Sequence, residues 1–239
     1  AEYQISKLLG VGTVAETYLA KDKSGKEVCI KVLKNGITAE KIAADKEKFL
    51  NLIIGDTPKE NLTEAQKYLI RNVNDLADGI SKEVDFKNEM QAAEALRKHC
   101  KVTNVAKGID VKDGIYIMEK APGISIKTLV DYFKCESRIK LMKRFAQEDP
   151  RCIIWANEEI AKYEAQMKKI KSRAPEFEDF EMTPSQIKRL LKNYIDLQVE
   201  QFSKIDKNGK VIHADIHPGN IFINLNSLKT GKGKLFTLI

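Results

Sequence analysis

Asp215 and Asn220 lie five residues apart in the octet His213-Ala214-Asp215-Ile216-His217-Pro218-Gly219-Asn220 and have the side-chain types that phosphoryl transfer needs. A carboxylate can orient or deprotonate an attacking hydroxyl, and a carboxamide oxygen can hold a metal ion that shields nucleotide phosphates. Such transfer asks a protein mainly for positioning and charge neutralisation, so a short fixed loop carries much of it. Pro218 fixes one φ angle and Gly219 admits conformations closed to other residues. The same residue types also favour plain surface turns. Two of the chain's three histidines, His213 and His217, fall inside the octet, which a generic turn does not explain. No third His or Cys ligand is near them, which argues against zinc.

Further upstream, Gly10-Val11-Gly12-Thr13-Val14-Ala15 is a glycine loop whose backbone can approach phosphate oxygens closely, although a hairpin turn would read the same way. Ala15 stands where the pattern G-x-G-x-x-G has its third glycine. Val28-Cys29-Ile30-Lys31 sets a lysine among strand formers. An ammonium there is costly to bury without a carboxylate or phosphate partner, or else it lies on a solvated face. Glu83, Asp85 and Glu89 form an acidic series, with Asp85 and Glu89 spaced to share a helix face and one of the series placed to pair with Lys31.

The elements that would position these residues divide the chain. Strands are expected over Tyr3–Leu9, Val14–Ala20 and Glu27–Leu33, with a turn at Asp22-Lys23-Ser24-Gly25. A helix follows Thr38 and ends near Gly55, and a second starts at Thr63, where Gln66 completes a capping box. Asp78-Gly79 is expected to interrupt it before a further helix from about Ser81 to His99. Strands near Val105–Val111 and Ile115–Glu119 flank Asp113-Gly114, and Ala121-Pro122-Gly123 reads as a hinge. Beyond it the chain is largely helical. Thr183-Pro184-Ser185-Gln186 starts a helix whose Ile187, Leu190, Leu191, Tyr194 and Ile195 predict one buried face.

Composition bounds the rest. The 239 residues are 43% hydrophobic and 31% charged, ordinary for a globular chain able to bury a core in one large domain or two small lobes. No apolar run reaches the roughly 20 residues a membrane-spanning helix needs. The net charge of +7 has its local excess at Lys162–Arg173 and Lys229–Lys234, without interleaved aromatics, so nucleic acid is not an expected partner. Cys29, Cys100, Cys135 and Cys152 lack paired spacing and are expected to be small buried hydrophobes in a reducing compartment. The missing initiator Met suggests that an upstream piece was removed.

Taken in order, glycine loop, strand lysine, helix glutamate, hinge, helix and Asp…Asn loop follow the plan of a kinase-like phosphotransferase. The octet resembles the H-A-D-x-H-P-G-N signature of UbiB/AarF-type atypical kinases, and Lys82-Glu83-Val84-Asp85-Phe86-Lys87-Asn88-Glu89 is similar to that family's E-x-D-x-x-x-E stretch. The resemblance implies an α+β, two-lobed protein kinase-like fold. Its N-lobe would be residues 1–120, with a helical insertion at about 35–80 and helix C at about 81–99; a hinge would follow at 121–125 and a C-lobe at 126–239. It implies ATP and Mg²⁺, with Lys31 on the phosphates and paired with Glu89, Asp215 as the catalytic-loop aspartate and Asn220 as magnesium ligand. Gly10, Gly12, Thr13 and Val14 would form the nucleotide loop, and Met118, Glu119 and Ala121 the adenine-facing hinge. Glu83 and Asp85 would be a regulatory acidic motif, while His213 and His217 complete the octet.

Three features depart from the family. Its K-x-G-Q segment is absent from the sequence, and Gly10 and Gly12 are closer to an ordinary kinase than to the family's alanine-rich loop. Leu235–Ile239 resembles the strand that leads to a D-F-G-type aspartate, which would follow Ile239. The acceptor is open: a small molecule, a lipid or a protein. A choline- or aminoglycoside-type kinase, a protein kinase and a nucleotide-binding pseudokinase are the other readings. The location expected is cytoplasmic, with peripheral membrane contact allowed.

Overall fold

In the computed structural model, residues 2–173, 182–203 and 216–239 are described. The chain opens with three antiparallel strands, β1 (Tyr3–Val11), β2 (Ala15–Asp22) and β3 (Glu27–Leu33). Helices α1 (Ala39–Ile54), α2 (Glu64–Val84) and α3 (Phe86–His99) follow. A two-residue strand β4 (Asn104–Val105) precedes β5 (Gly108–Lys112) and β6 (Ile115–Glu119). Next come β7 (Ile124–Ser125) and the long helices α4 (Ile126–Glu148), α5 (Ile153–Arg173) and α6 (Pro184–Ser203). Strand β8 (Ile221–Ile223), helix α7 (Leu225–Thr230) and strand β9 (Phe236–Leu238) complete the described chain.

These elements form two compact units. One comprises residues 1–95 and 107–120, the other residues 96–106 and 121–239. The division therefore falls inside α3, and the stretch after it groups with the second unit. The first unit is an antiparallel sheet in the order β1-β2-β3-β6-β5. Strand alternation sorts β3 between two clusters. Val28, Ile30 and Val32 pack with Ala20 and Ile117, while Cys29 and Leu33 pack with Phe86, Tyr116 and Met118. The second unit contains a small sheet in the order β4-β9-β8-β7, with β4 parallel to β9 and the other pairings antiparallel.

Helix starts obey local chemistry. The Thr38 hydroxyl accepts from the Lys41 N–H at the start of α1, and Gly55 closes that helix with φ 56°. Thr63 and Gln66 form a reciprocal capping box on α2. Thr183 and Gln186 do the same at α6, at 2.9 Å and 3.3 Å.

Four expectations need correction. Helix α2 runs through Asp78-Gly79 and ends at Val84, so the helix expected from Ser81 starts instead at Phe86. Glycine costs a helix interior only about 1 kcal/mol, whereas Asp85 starts a new helix outright, its carboxylate accepting from the Asn88 N–H at 3.0 Å. The Val105–Val111 strand is two strands in different sheets, because Val105 pairs with Leu238 while Gly108 pairs with Met118. On α6, Ile187, Leu191 and Ile195 are exposed, and the buried side is marked by Leu197, Glu200 and Gln201. Of the cysteines, Cys100 and Cys135 are buried but Cys29 and Cys152 only partly so, and all four are free thiols.

Candidate phosphotransfer site

Lys31 sits on the middle strand of the first sheet, directly across from Thr17 on β2 and Tyr116 on β6. Its place in the odd set of β3 turns it toward α3, on the same side as Cys29 and Leu33. There the ammonium meets Glu89, donating to Oε2 at 2.8 Å and Oε1 at 3.0 Å. Both side chains are half-buried, 27% and 35% exposed. The Lys31 Nζ also lies 5.1 Å from the centre of the Phe86 ring, a cation–π distance. Phe86 in turn packs on Tyr116, with ring centres 6.0 Å apart.

Residues three and four apart share a helix face, so the Asp85 cap decides which α3 residues look at the sheet. It aligns Phe86, Glu89 and Met90; Phe86 and Met90 belong to the apolar cluster beneath Lys31. Gly108 leaves room for this approach, since a Cβ there would come within 2.4 Å of Met90. The acidic series thus resolves into three roles. Glu89 is the partner of Lys31, Asp85 is an exposed helix cap rather than a helix-face residue, and Glu83 is exposed in the last turn of α2. Phe86 and Tyr116 were not singled out from sequence. Their signal is the Phe86–Glu89 spacing and the strand period opposite Lys31.

Burial, and secondarily the charge of Glu89, push the Tyr116 phenol up to about 12. Burial likewise raises the Cys29 thiol, which keeps it in its neutral form.

The glycine loop is a tight turn closed by the Gly12 N–H on the Ala15 carbonyl at 2.8 Å. A β-bulge in β1 precedes it, between Leu8 and Gly10. Val14 and Ala15 are buried in the cluster with Phe86 and Tyr116, and the Val14 carbonyl accepts from the Lys34 N–H at 2.8 Å. Gly10, Gly12 and Thr13 stay exposed. Met118 is buried in the same cluster, and Glu119 accepts from Lys26 at 3.3 Å.

In the second unit, Ala121 is buried. The end of the octet is held from three directions: the Asn220 N–H donates to the His217 carbonyl at 2.9 Å, the Lys127 N–H to the Pro218 carbonyl at 2.9 Å, and the Ile239 N–H to the Asn220 carbonyl at 3.0 Å. The His217 Nδ1 accepts from the Gly219 N–H at 2.9 Å, which commits the ring to the turn. A Cβ on Gly219 would sit 2.6 Å from that ring. His213 and Asp215 lie outside the described residues. Among the described residues no group of three or more His, Cys, Asp or Glu is placed to hold a metal ion, and no helix is long and apolar enough to cross a membrane.

The structure brings together Lys31 and Glu89 as an ion pair, and separately fixes the turn that carries Asn220. A model of the ABC1 atypical kinase-like domain matches residues 5–147, a span that includes the glycine loop, Lys31, Glu89 and the hinge and stops short of the octet. A search of curated proteins returns no match. Among solved structures, the chain is similar to the Rv3197–erythromycin complex from Mycobacterium tuberculosis, at 12% identity and a TM-score of 0.46. That alignment covers 99% of this chain and 45% of the other, so the chain spans less than half of that relative's length. By the family model, which takes in more than half of its residues, this α+β chain belongs to the ABC1 atypical kinase-like family and has its kinase-like fold.

Proposed function

We propose that the protein is an ATP- and Mg²⁺-dependent phosphotransferase that moves the γ-phosphoryl group in line to an acceptor hydroxyl. The observation that carries this reading is the Lys31–Glu89 pair at 2.8 Å, half-buried between the central strand β3 and helix α3. An exposed ion pair is worth only about 0–1 kcal/mol, so stability alone does not account for a strand lysine with an apolar floor. Holding an ammonium ready for phosphate oxygens does.

The donor chemistry fits the nucleotide and its metal. Lys31 offers the charge that α- and β-phosphates need, and the carboxamide oxygen of Asn220 is a hard donor of the kind Mg²⁺ takes. When bound, the metal ion would neutralise charge on the phosphates. Lys31 holds the phosphate oxygens, Glu89 holds Lys31, and Asp215 orients the acceptor hydroxyl and accepts its proton. Val14 and Ala15 would seat the glycine loop over the nucleotide, and the strand end at Met118–Glu119, with Ala121, would face the adenine.

Turnover measurement with an Asp215→Asn variant tests the chemistry apart from binding. ATP consumption in the presence of lipid, aminoglycoside and generic protein acceptors should vanish in the variant, while the rise in melting temperature caused by MgATP persists. Equal rates in variant and parent would remove Asp215 from its role. A parent that is stabilised by MgATP but consumes none with any acceptor would make the protein a nucleotide-binding pseudokinase.

A further inference from the structure

Two partly exposed side chains do not by themselves fix a position. Lys31 carries its ammonium on a flexible four-carbon stem, which can swing together with the Glu89 carboxylate that holds it. The ring of Phe86 is a fixed body beside this pair: it is 2% exposed, and its centre lies 5.1 Å from the Lys31 Nζ. Tyr116 props that ring at 6.0 Å, centre to centre, with the two planes inclined at 39°. Val14 and Ala15, which follow the turn of the glycine loop, are buried in the same cluster, as is Met118. Along the chain Phe86 is the first residue of α3, directly after the Asp85 cap and one helical turn before Glu89. Ring and carboxylate are therefore carried by the same turn of helix and reach Lys31 together.

The two contacts on Lys31 differ in kind. A lysine ammonium has three N–H donors, and Glu89 takes bonds at both carboxylate oxygens, at 2.8 Å and 3.0 Å. An aromatic face attracts the charge through its quadrupole and asks for no particular N–H. It restrains the ammonium while leaving donor capacity for a phosphate oxygen. A second carboxylate in the same place would hold the charge as well, but it would repel the phosphates.

We infer that Phe86 is a positioning residue for Lys31: its buried ring holds the ammonium in one place, so that nucleotide phosphates meet it already set. When the binding-competent position of a group is only partly populated, apparent affinity falls by that fraction. Weakening the ring's hold therefore weakens MgATP binding without removing any group that touches the ligand. The consequence for nucleotide affinity rests on the phosphotransfer reading above; the coupling of Phe86 to Lys31 does not.

Replacing Phe86 by mono-, di- and trifluorophenylalanine tests the role, because successive fluorines drain the negative face of the ring while nearly keeping its shape. In calorimetric titrations the Kd for MgATP should rise stepwise, to about threefold with the trifluoro ring, the scale of a partly exposed cation–π contact. Phe86→Leu should weaken binding at least as much; should it fail to fold, the fluorinated rings still decide. Without nucleotide, the denaturation midpoint should fall along the series relative to the same series in Lys31→Met, where the ammonium is gone. A flat Kd along the series, or midpoints that respond alike with and without the lysine, would overturn the proposal and leave Phe86 as an apolar core residue alone. A parent that does not bind MgATP would sink the phosphotransfer reading, while the comparison of midpoints still judges whether Phe86 holds Lys31.

Discussion

At the scale of single residues, Lys31 matters for its charge more than for its contribution to folding. With the pair about one-third exposed, Lys31→Met or Glu89→Gln should change stability by only about 1 kcal/mol. Either change should nevertheless erase most of the stabilisation by MgATP, which amounts to about 2.7 kcal/mol at a hundredfold excess over Kd. Thermal melts with and without nucleotide measure both effects on the same samples. Tyr116, across the ladder from Lys31, supplies an alkaline signature. Its phenol is raised from about 10 in an unfolded chain to about 12 in the folded one. The folded state therefore holds a proton that the unfolded chain releases in that window. The associated stability, on the order of 2 kcal/mol, is complete below pH 10 and is lost as pH rises toward 12. Urea melts at stepped pH should show a steeper alkaline decline for the parent than for Tyr116→Phe. Parallel declines would contradict the assignment.

The elements that carry these residues are set by a few local switches. Thr63→Ala removes the hydroxyl half of the α2 capping box and should cost about 1 kcal/mol in a denaturant melt. Gly123 is a sharper case, with φ 81° and a site where a Cβ would come 1.9 Å from the Ile223 carbonyl oxygen. Gly123→Ala should therefore destabilise the protein by more than about 3 kcal/mol, as read by its midpoint of denaturation. Capping boxes at Thr63 and Thr183 are visible in the sequence because both partners lie within one turn. The face of α6 is not. Its apolar residues include two interleaved rows, and the helix is rotated by Arg189, which bonds carbonyls of Ser227 and Gly233, and by Glu200. Those partners lie from 38 to 99 residues away, so no local period reveals them. The same limit hid the break between α2 and α3. Gly79 looked like the interruption, yet the i to i+3 bond from Asn88 to Asp85 starts the new helix.

On the scale of the whole molecule, order along the chain carried the family: glycine loop, strand lysine, helix glutamate and Asp…Asn octet. The family model rests on the first part, residues 5–147, and does not reach the octet, whose His213 and Asp215 lie outside the described residues. Lys31 with Glu89 lies in one compact unit and the Asn220 turn in the other. The acceptor was not readable, because no residue type in the octet or the glycine loop distinguishes a lipid hydroxyl from a sugar or a serine. The central claim is that Lys31, held by Glu89, receives the phosphates of MgATP. Isothermal titration of the parent and of Lys31→Ala with MgATP tests it most directly. The account predicts one saturable site in the parent at or below millimolar concentration, weakened about tenfold or more in the variant; equal affinity in the two proteins, or no binding to the parent at millimolar MgATP, would contradict it.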